Sequence, residues 1–107
     1  MIKIKPLSTN AAWQGRRFKT REYIAYEKEL FTLLPKQIKI PDGKLEINYV
    51  FGLSNKNTDY DNYIKQFQDV LTKKYQFNDN KIYKALINKV DVKKGREFIS
   101  FRIQKLL

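Results

Sequence analysis

The apolar residues change period once in the middle of the chain, and that change limits what it can fold into. Over residues 44–51, Leu45, Ile47, Tyr49 and Phe51 fall on alternate positions. A period of two places them on one face of a strand. Over residues 60–74, Tyr60, Tyr63, Ile64, Phe67, Val70 and Leu71 recur at steps of three and four. At roughly 100° per residue they form one face of a helix. The polar loop 52–58 joins the two elements.

The flanks extend this pattern. Residues 1–5 alternate apolar and basic ahead of Pro6, which reads as a short strand. Residues 8–15 read as a polar loop. A helix is expected from Thr20, a fitting N-cap, to Leu34, where Pro35 stops it. Its inward positions are Tyr23, Tyr26 or Glu27, Leu30 and Leu34, with Ile24 and Phe31 alongside. Residues 37–40 read as a strand or its lead-in, and Pro41-Asp42-Gly43 as a turn. Residues 81–92 are strand-like, but Ile82, Lys84, Leu86 and Asn88 do not alternate cleanly enough to assign faces. Lys93-Lys94-Gly95 reads as a hairpin turn leading to a last strand over 96–103. The order β-α-β-β-α-β-β is an α+β pattern, and 107 residues suit a single domain spanning 1–107.

The composition removes several chemistries. There is no cysteine and no histidine. Disulfides, thiolate zinc sites, cysteine nucleophiles and histidine bases are therefore excluded, and an enzyme here must rely on carboxylates, lysine, tyrosine or a metal. Twenty-two basic side chains against 11 acidic ones give a net charge of +11, which points to a polyanionic partner. No apolar run approaches the roughly 20 residues of a membrane span, and no signal-peptide pattern opens the chain. The expectation is a cytoplasmic protein with no membrane partner.

Against that basic background, residues 58–65, Thr-Asp-Tyr-Asp-Asn-Tyr-Ile-Lys, concentrate two aspartates, an amide and a lysine at a helix start. Asp79 lies in a second polar turn, Asn78-Asp79-Asn80-Lys81. A purely structural role is available. Asp59 and Asp61 can cap the helix, and Asp61, Lys65 and Asp69 can form an exposed ladder at steps of four. The alternative is a Mg²⁺ site, because Mg²⁺ takes hard oxygen ligands and leaves room for water and phosphate. Asp59, Asp61 and Asp79 would hold one or two ions, and Lys65 would offset charge on a phosphate. Aspartates on a surface that binds DNA repel it unless a cation neutralises them.

These residues resemble a known pattern. Asp59-x-Asp61-Asn62-x-x-Lys65, then Asp69-Val70-Leu71, then Asn78-Asp79-x-x-Ile82 is similar to the signature of the RusA family of Holliday junction resolvases, small endonucleases often encoded by phages or prophages of bacteria. Ser8-Thr9-Asn10, the basic loop through Lys19-Thr20, Lys89 and Lys94-Gly95-Arg96 also resemble parts of that family, so the likeness runs from about Leu7 to Ile103. Two positions depart from it: Asn78 stands where the family has Asp, and Lys81 where it has Gln.

The resemblance implies a mixed sheet with two main helices and a homodimer. It implies Asp59, Asp61 and Asp79 as metal ligands and Lys65 as the catalytic lysine, with Mg²⁺ as cofactor, Mn²⁺ as a substitute and no small-molecule cofactor. The expected function is resolution of four-way DNA junctions by paired symmetric nicks through metal-activated water. Two cuts on opposed strands need two sites, which a C₂ dimer supplies. Asn10, Arg16, Arg17, Lys19, Arg21, Lys73, Lys74, Lys81 and Lys89 are the candidate DNA contacts. The competing expectations are a less selective branched-DNA nuclease and a DNA-binding module without catalysis, in which the aspartates only cap the helix. A basic RNA-binding protein is a third, with Tyr49 and Phe51 as stacking residues.

Overall fold

One strand, Leu45–Leu53 (β3), organises the structure, a computed structural model that describes residues 1–15 and 18–107. Its alternate residues Leu45, Ile47, Tyr49, Phe51 and Leu53 are buried, as their period requires. On one edge β3 pairs in parallel with Ile82–Asp91 (β4), from Leu45↔Ile82 to Leu53↔Asp91. On the other it pairs antiparallel with Phe98–Lys105 (β5), from Leu45↔Lys105 to Gly52↔Phe98. The sheet is therefore mixed, with order β4-β3-β5. A parallel pair needs a crossover, and the helix Ile64–Tyr75 (α3) provides it.

Four smaller elements precede β3. Thr9–Ala12 (α1) is one helical turn, capped by the Ser8 side chain. Trp13–Gln14 (β1) and Phe18–Lys19 (β2) form a two-stranded ribbon. Arg21–Leu33 (α2) is a 13-residue helix. The Thr20 hydroxyl caps α2 by accepting from Tyr23 N at 3.1 Å and donates to Ala11 O at 2.6 Å, which ties α2 to α1. Tyr23, Tyr26, Leu30 and Leu34 are buried, as the helical spacing requires. Phe67 of α3 meets the rings of Tyr49, Phe51 and Phe101 edge-on at 6.1, 6.3 and 5.6 Å, which locks α3 onto the sheet. No helix among the described residues is long and apolar enough to cross a membrane.

Several local expectations are corrected. Residues 93–95 do not close a hairpin between neighbours, because β4 and β5 lie on opposite edges of β3. The connection crosses the end of β3, where Val92 N donates to Leu53 O at 2.9 Å, and Gly95 supplies the positive φ of its turn. Residues 37–40 form no strand. Residues 1–5 make a single bridge, Ile2 to Ile99, although Ile2 and Ile4 are buried. The polar loop expected over 8–15 contains α1 and β1. Tyr60, Ile24 and Phe31 are exposed rather than inward-facing. Tyr60 opens the turn before α3, past the last buried residue of β3. The unclear alternation of β4 has a physical cause. It is an edge strand whose residues are nearly all exposed, with only Ile82 and Ile87 half-buried.

Candidate functional site

The chain leaves β3 at Leu53 and folds over residues 54–59 into the 3₁₀ turn Tyr60–Tyr63, which runs straight into α3. Short-range hydrogen bonds shape the approach. Asn57 N donates to Asn55 Oδ1 at 3.0 Å, and the Thr58 hydroxyl donates to Asn55 O at 3.1 Å. Two side chains brace the turn. Lys89 Nζ of β4 donates to Thr58 O at 2.7 Å and to Lys56 O at 3.3 Å. The fully buried Gln66 donates through Nε2 to Asn62 O at 2.9 Å and to Leu7 O at 2.8 Å.

Asp59 and Asp61 sit on this braced turn, both exposed. Asp59 occupies the N-cap position, yet its side chain makes no capping hydrogen bond. The ion pairs among the described residues are Lys19–Glu27, Lys73–Glu27 and Lys84–Glu46, so Asp61, Lys65 and Asp69 form no ladder of paired charges. Among the described residues neither the capping bond nor the charge ladder is formed, although Asp61 stays in the first turn, where it suits the helix dipole. Two carboxylates and the exposed ammonium of Lys65 are left facing solvent near one turn.

Asp79 lies elsewhere. It opens the 3₁₀ turn Asp79–Lys81, whose Asn78 side chain accepts from Asn80 N at 3.0 Å. That turn feeds Ile82, the residue paired with Leu45, whereas the Asp59/Asp61 turn follows Leu53. The two turns thus adjoin opposite ends of β3, a strand about 26 Å long at the usual rise per residue. Among the described residues no three acidic groups are grouped so that they could hold a metal ion. One chain therefore brings Asp59, Asp61 and Lys65 to one end of the sheet and leaves Asp79 at the other.

Four of the candidate DNA contacts are engaged within the fold. Glu27 Oε1 and Oε2 each accept from Lys19 at 3.0 Å, and Oε2 also accepts from Lys73 at 3.0 Å. Burial pushes the Glu27 carboxyl up, but the hydrogen bonds and charges of the two lysines outweigh it and hold the group below its ordinary range. Lys74 Nζ donates to Phe31 O and to Leu34 O, closing the end of α2. Lys89 braces the aspartate turn. Asn10, Arg21 and Lys81 are exposed, and Arg16 and Arg17 lie outside the described residues.

Two features escaped the sequence reading. Gln66 is a polar residue on the buried stripe, three after Tyr63 and one before Phe67, and that misplacement was its only signal. The second is a cleft of about 770 Å³ bounded by the N-terminal segment, α2 and the aspartate turn. Tyr26, 5% exposed, lines it, and its hydroxyl is buried with no hydrogen bond of good geometry among the described residues. Burial pushes that phenol far above its ordinary range; the charge of Tyr23 adds to the rise and the Leu7 backbone opposes it. It is therefore a protonated donor. In comparison with known proteins, no family model matches the chain and no curated protein sequence matches it.

Proposed function

We propose that this protein is a Mg²⁺-dependent endonuclease of branched DNA, with four-way junctions as its first substrate and the Asp59/Asp61 turn as its metal-binding centre. One observation carries the reading. In a chain of net charge +11, two exposed carboxylates sit on a braced turn, and among the described residues neither makes a capping hydrogen bond or an ion pair. Exposed hard oxygen ligands one helical turn before a lysine suit a divalent cation and a phosphate. Such a cation, when bound, activates water and neutralises charge on the phosphoryl oxygens.

The chain's own residues do the positioning. Asp59 and Asp61 supply ligands, and Lys65 offsets negative charge on the phosphate as the bond to the leaving oxygen breaks. Lys89 and Gln66 fix the turn, so the ligands need not be ordered when substrate arrives. The topology adds a condition. Asp79 can join this centre only from a second copy of the chain, so its use as a ligand requires the dimer that two opposed cuts also require.

The test is cleavage of a synthetic four-way junction by the wild type and Asp61→Asn, with Mg²⁺ and with chelator. Paired symmetric nicks that need Mg²⁺ and disappear in the variant, while junction binding persists, are the expected result. Tight binding without metal, and no cutting by either protein, would overturn the enzyme and leave a DNA-binding module.

A further inference from the structure

The two edges of the sheet are not alike. On the face that meets the helices, β4 sets charged residues, Lys89 opposite Phe51 and Asp91 opposite Leu53. On the same face β5 sets Ile99, Phe101 and Ile103, opposite Phe51, Tyr49 and Ile47. Inward charges guard an edge against added strands, and over residues 99–103 β5 carries none on that face.

The direction of the β5 backbone groups follows from one bridge. Ile2 N donates to Ile99 O at 2.7 Å, and Ile99 N donates to Ile2 O at 3.0 Å. Both groups of Ile99 therefore point away from β3. Backbone groups alternate in direction along a strand, so Phe101 and Ile103 point theirs to the same free side. Ser100 and Arg102 point theirs at Val50 and Asn48 of β3. Among the described residues Ile2 is the one partner on the free side, so the N–H and C=O groups of Phe101 and Ile103 have none.

A slot of about 390 Å³ runs along this edge. Leu33, Pro35 and Ile38 form its far wall, and Phe101 and Ile103 its near wall. Lys39 and Arg102 are the charged residues of its lining, which contains no carboxylate. Both are exposed and take part in none of the ion pairs among the described residues.

We propose that the free edge of β5 binds an extended segment of another protein, of alternating apolar and acidic residues, as an added strand. Free backbone groups two residues apart call for a strand, because only an extended chain meets them in register. Its alternate side chains on the helix side enter the apolar slot, and those on the other side lie beside Arg102. Cations without an acid in the lining select carboxylates. A second copy of this chain fits poorly. Paired about a two-fold axis, it would bring its own Arg102 and Lys105 to the same edge of a chain already at +11. None of the lining residues belongs to the Asp59/Asp61 turn, so the two sites stand or fall separately.

The probe is a fluorescein-labelled peptide of alternating valine and aspartate with blocked ends, added to the full chain. Anisotropy reads binding, and amide hydrogen exchange reads where the peptide docks. Alone, the protein should exchange the amides of Phe101 and Ile103 fast and those of Ser100 and Arg102 slowly. At ten times its Kd the peptide should slow the first two about tenfold. Arg102→Glu should weaken binding about tenfold and move the preference to a valine-lysine peptide. Leu33 is 45% exposed, so Leu33→Gln removes slot surface without opening the core, and it should weaken the aspartate peptide as well. No saturable binding overturns the proposal. Binding that leaves Phe101 and Ile103 unprotected also overturns it, since the peptide then only sits on positive surface. Displacement by short duplex DNA that protects neither amide assigns Arg102 to phosphates instead. Protection that grows with protein concentration and ignores the peptide makes the edge a contact between copies, which removes the proposed partner.

Discussion

The side-chain amide of Gln66 donates to the carbonyl of Leu7 at 2.8 Å across 59 residues of sequence. The same nitrogen donates to Asn62 O, and the Thr9 hydroxyl donates to Asn62 O at 3.1 Å. One buried amide thus joins the N-terminal segment to the turn that carries Asp59 and Asp61. Gln66→Met keeps the volume and removes the donor. It should cost about 1–3 kcal/mol, because the Leu7 carbonyl loses its side-chain donor while Asn62 O keeps the Thr9 hydroxyl. The check is a lower urea midpoint with an unchanged denaturant slope. If nicking is observed, it should fall in the variant more than junction binding does, because the turn loosens.

Glu27 makes stability depend on pH in a defined window. Burial raises its carboxyl pKa, but Lys19 and Lys73 bring the folded-state value below that of the unfolded chain. A depressed acid stabilises the fold above its unfolded pKa, about 4.3, and that contribution is lost as pH falls through the lower folded value. Glu27→Gln should therefore cost about 1 kcal/mol at pH 7, the scale of a partly exposed ion pair, and less at pH 3. Added salt should narrow the gap between wild type and variant. Denaturation midpoints of both proteins at the two pH values decide it.

Gly52 is required by what lies over it. A Cβ built there would overlap the ring of Phe98, which covers Gly52 from the neighbouring strand β5. Gly52→Ala should destabilise the fold by about 1–3 kcal/mol, the cost of overpacking. The double variant with Phe98→Ala should recover part of that loss. A double-mutant cycle on thermal or urea unfolding measures the coupling, and simple additivity would show that the ring does not constrain the glycine.

How much of this was legible in the sequence depends on whether burial was one-sided. β3 as far as Phe51 and the inward stripe of α2 were legible, since Leu45 to Phe51 and Tyr23 to Leu34 face a single core and keep a clean period, whereas Gly52 and Leu53, read as loop, continue the strand. β4 gave no faces because it is an edge strand with little to bury. The β4–β5 connection looked like a hairpin because Lys93-Lys94-Gly95 has turn chemistry, and local chemistry says nothing about which edge of β3 the chain takes next. The aspartate turn was visible as a cluster. Its bracing was not, since Lys89 reaches it from a distant strand and Gln66 ties it to Leu7 across 59 residues, and neither has a local signature of that task. Placing Asp79 needed the register, which no spacing encodes.

Lys89 has a role that charge alone does not describe. Although the residue is exposed, its ammonium donates to the loop carbonyls of Thr58 and Lys56. If it positions the turn, Lys89→Met should lower the rate of junction nicking about tenfold. It should also raise the Mg²⁺ concentration needed for half-maximal rate and leave the salt dependence of binding nearly unchanged. A phosphate contact would do the opposite, reducing the salt slope by about one.

The separation of Asp79 from the Asp59/Asp61 turn gives the sharpest test of assembly. The two turns lie at opposite ends of β3, so a centre that uses all three aspartates takes Asp59 and Asp61 from one copy and Asp79 from the other. Mixing Asp61→Asn chains with Asp79→Asn chains then has a distinctive outcome. Each homodimer has two damaged centres and should be inactive. In the mixed dimer, one centre combines both lesions and the other combines the intact Asp59/Asp61 turn with an intact Asp79. Refolded mixtures should therefore nick one strand of a four-way junction without completing resolution, and the nicking should follow the fraction of mixed dimer. Silent mixtures, with mixed dimers present by native mass spectrometry, would show that Asp79 does not complete the partner's centre.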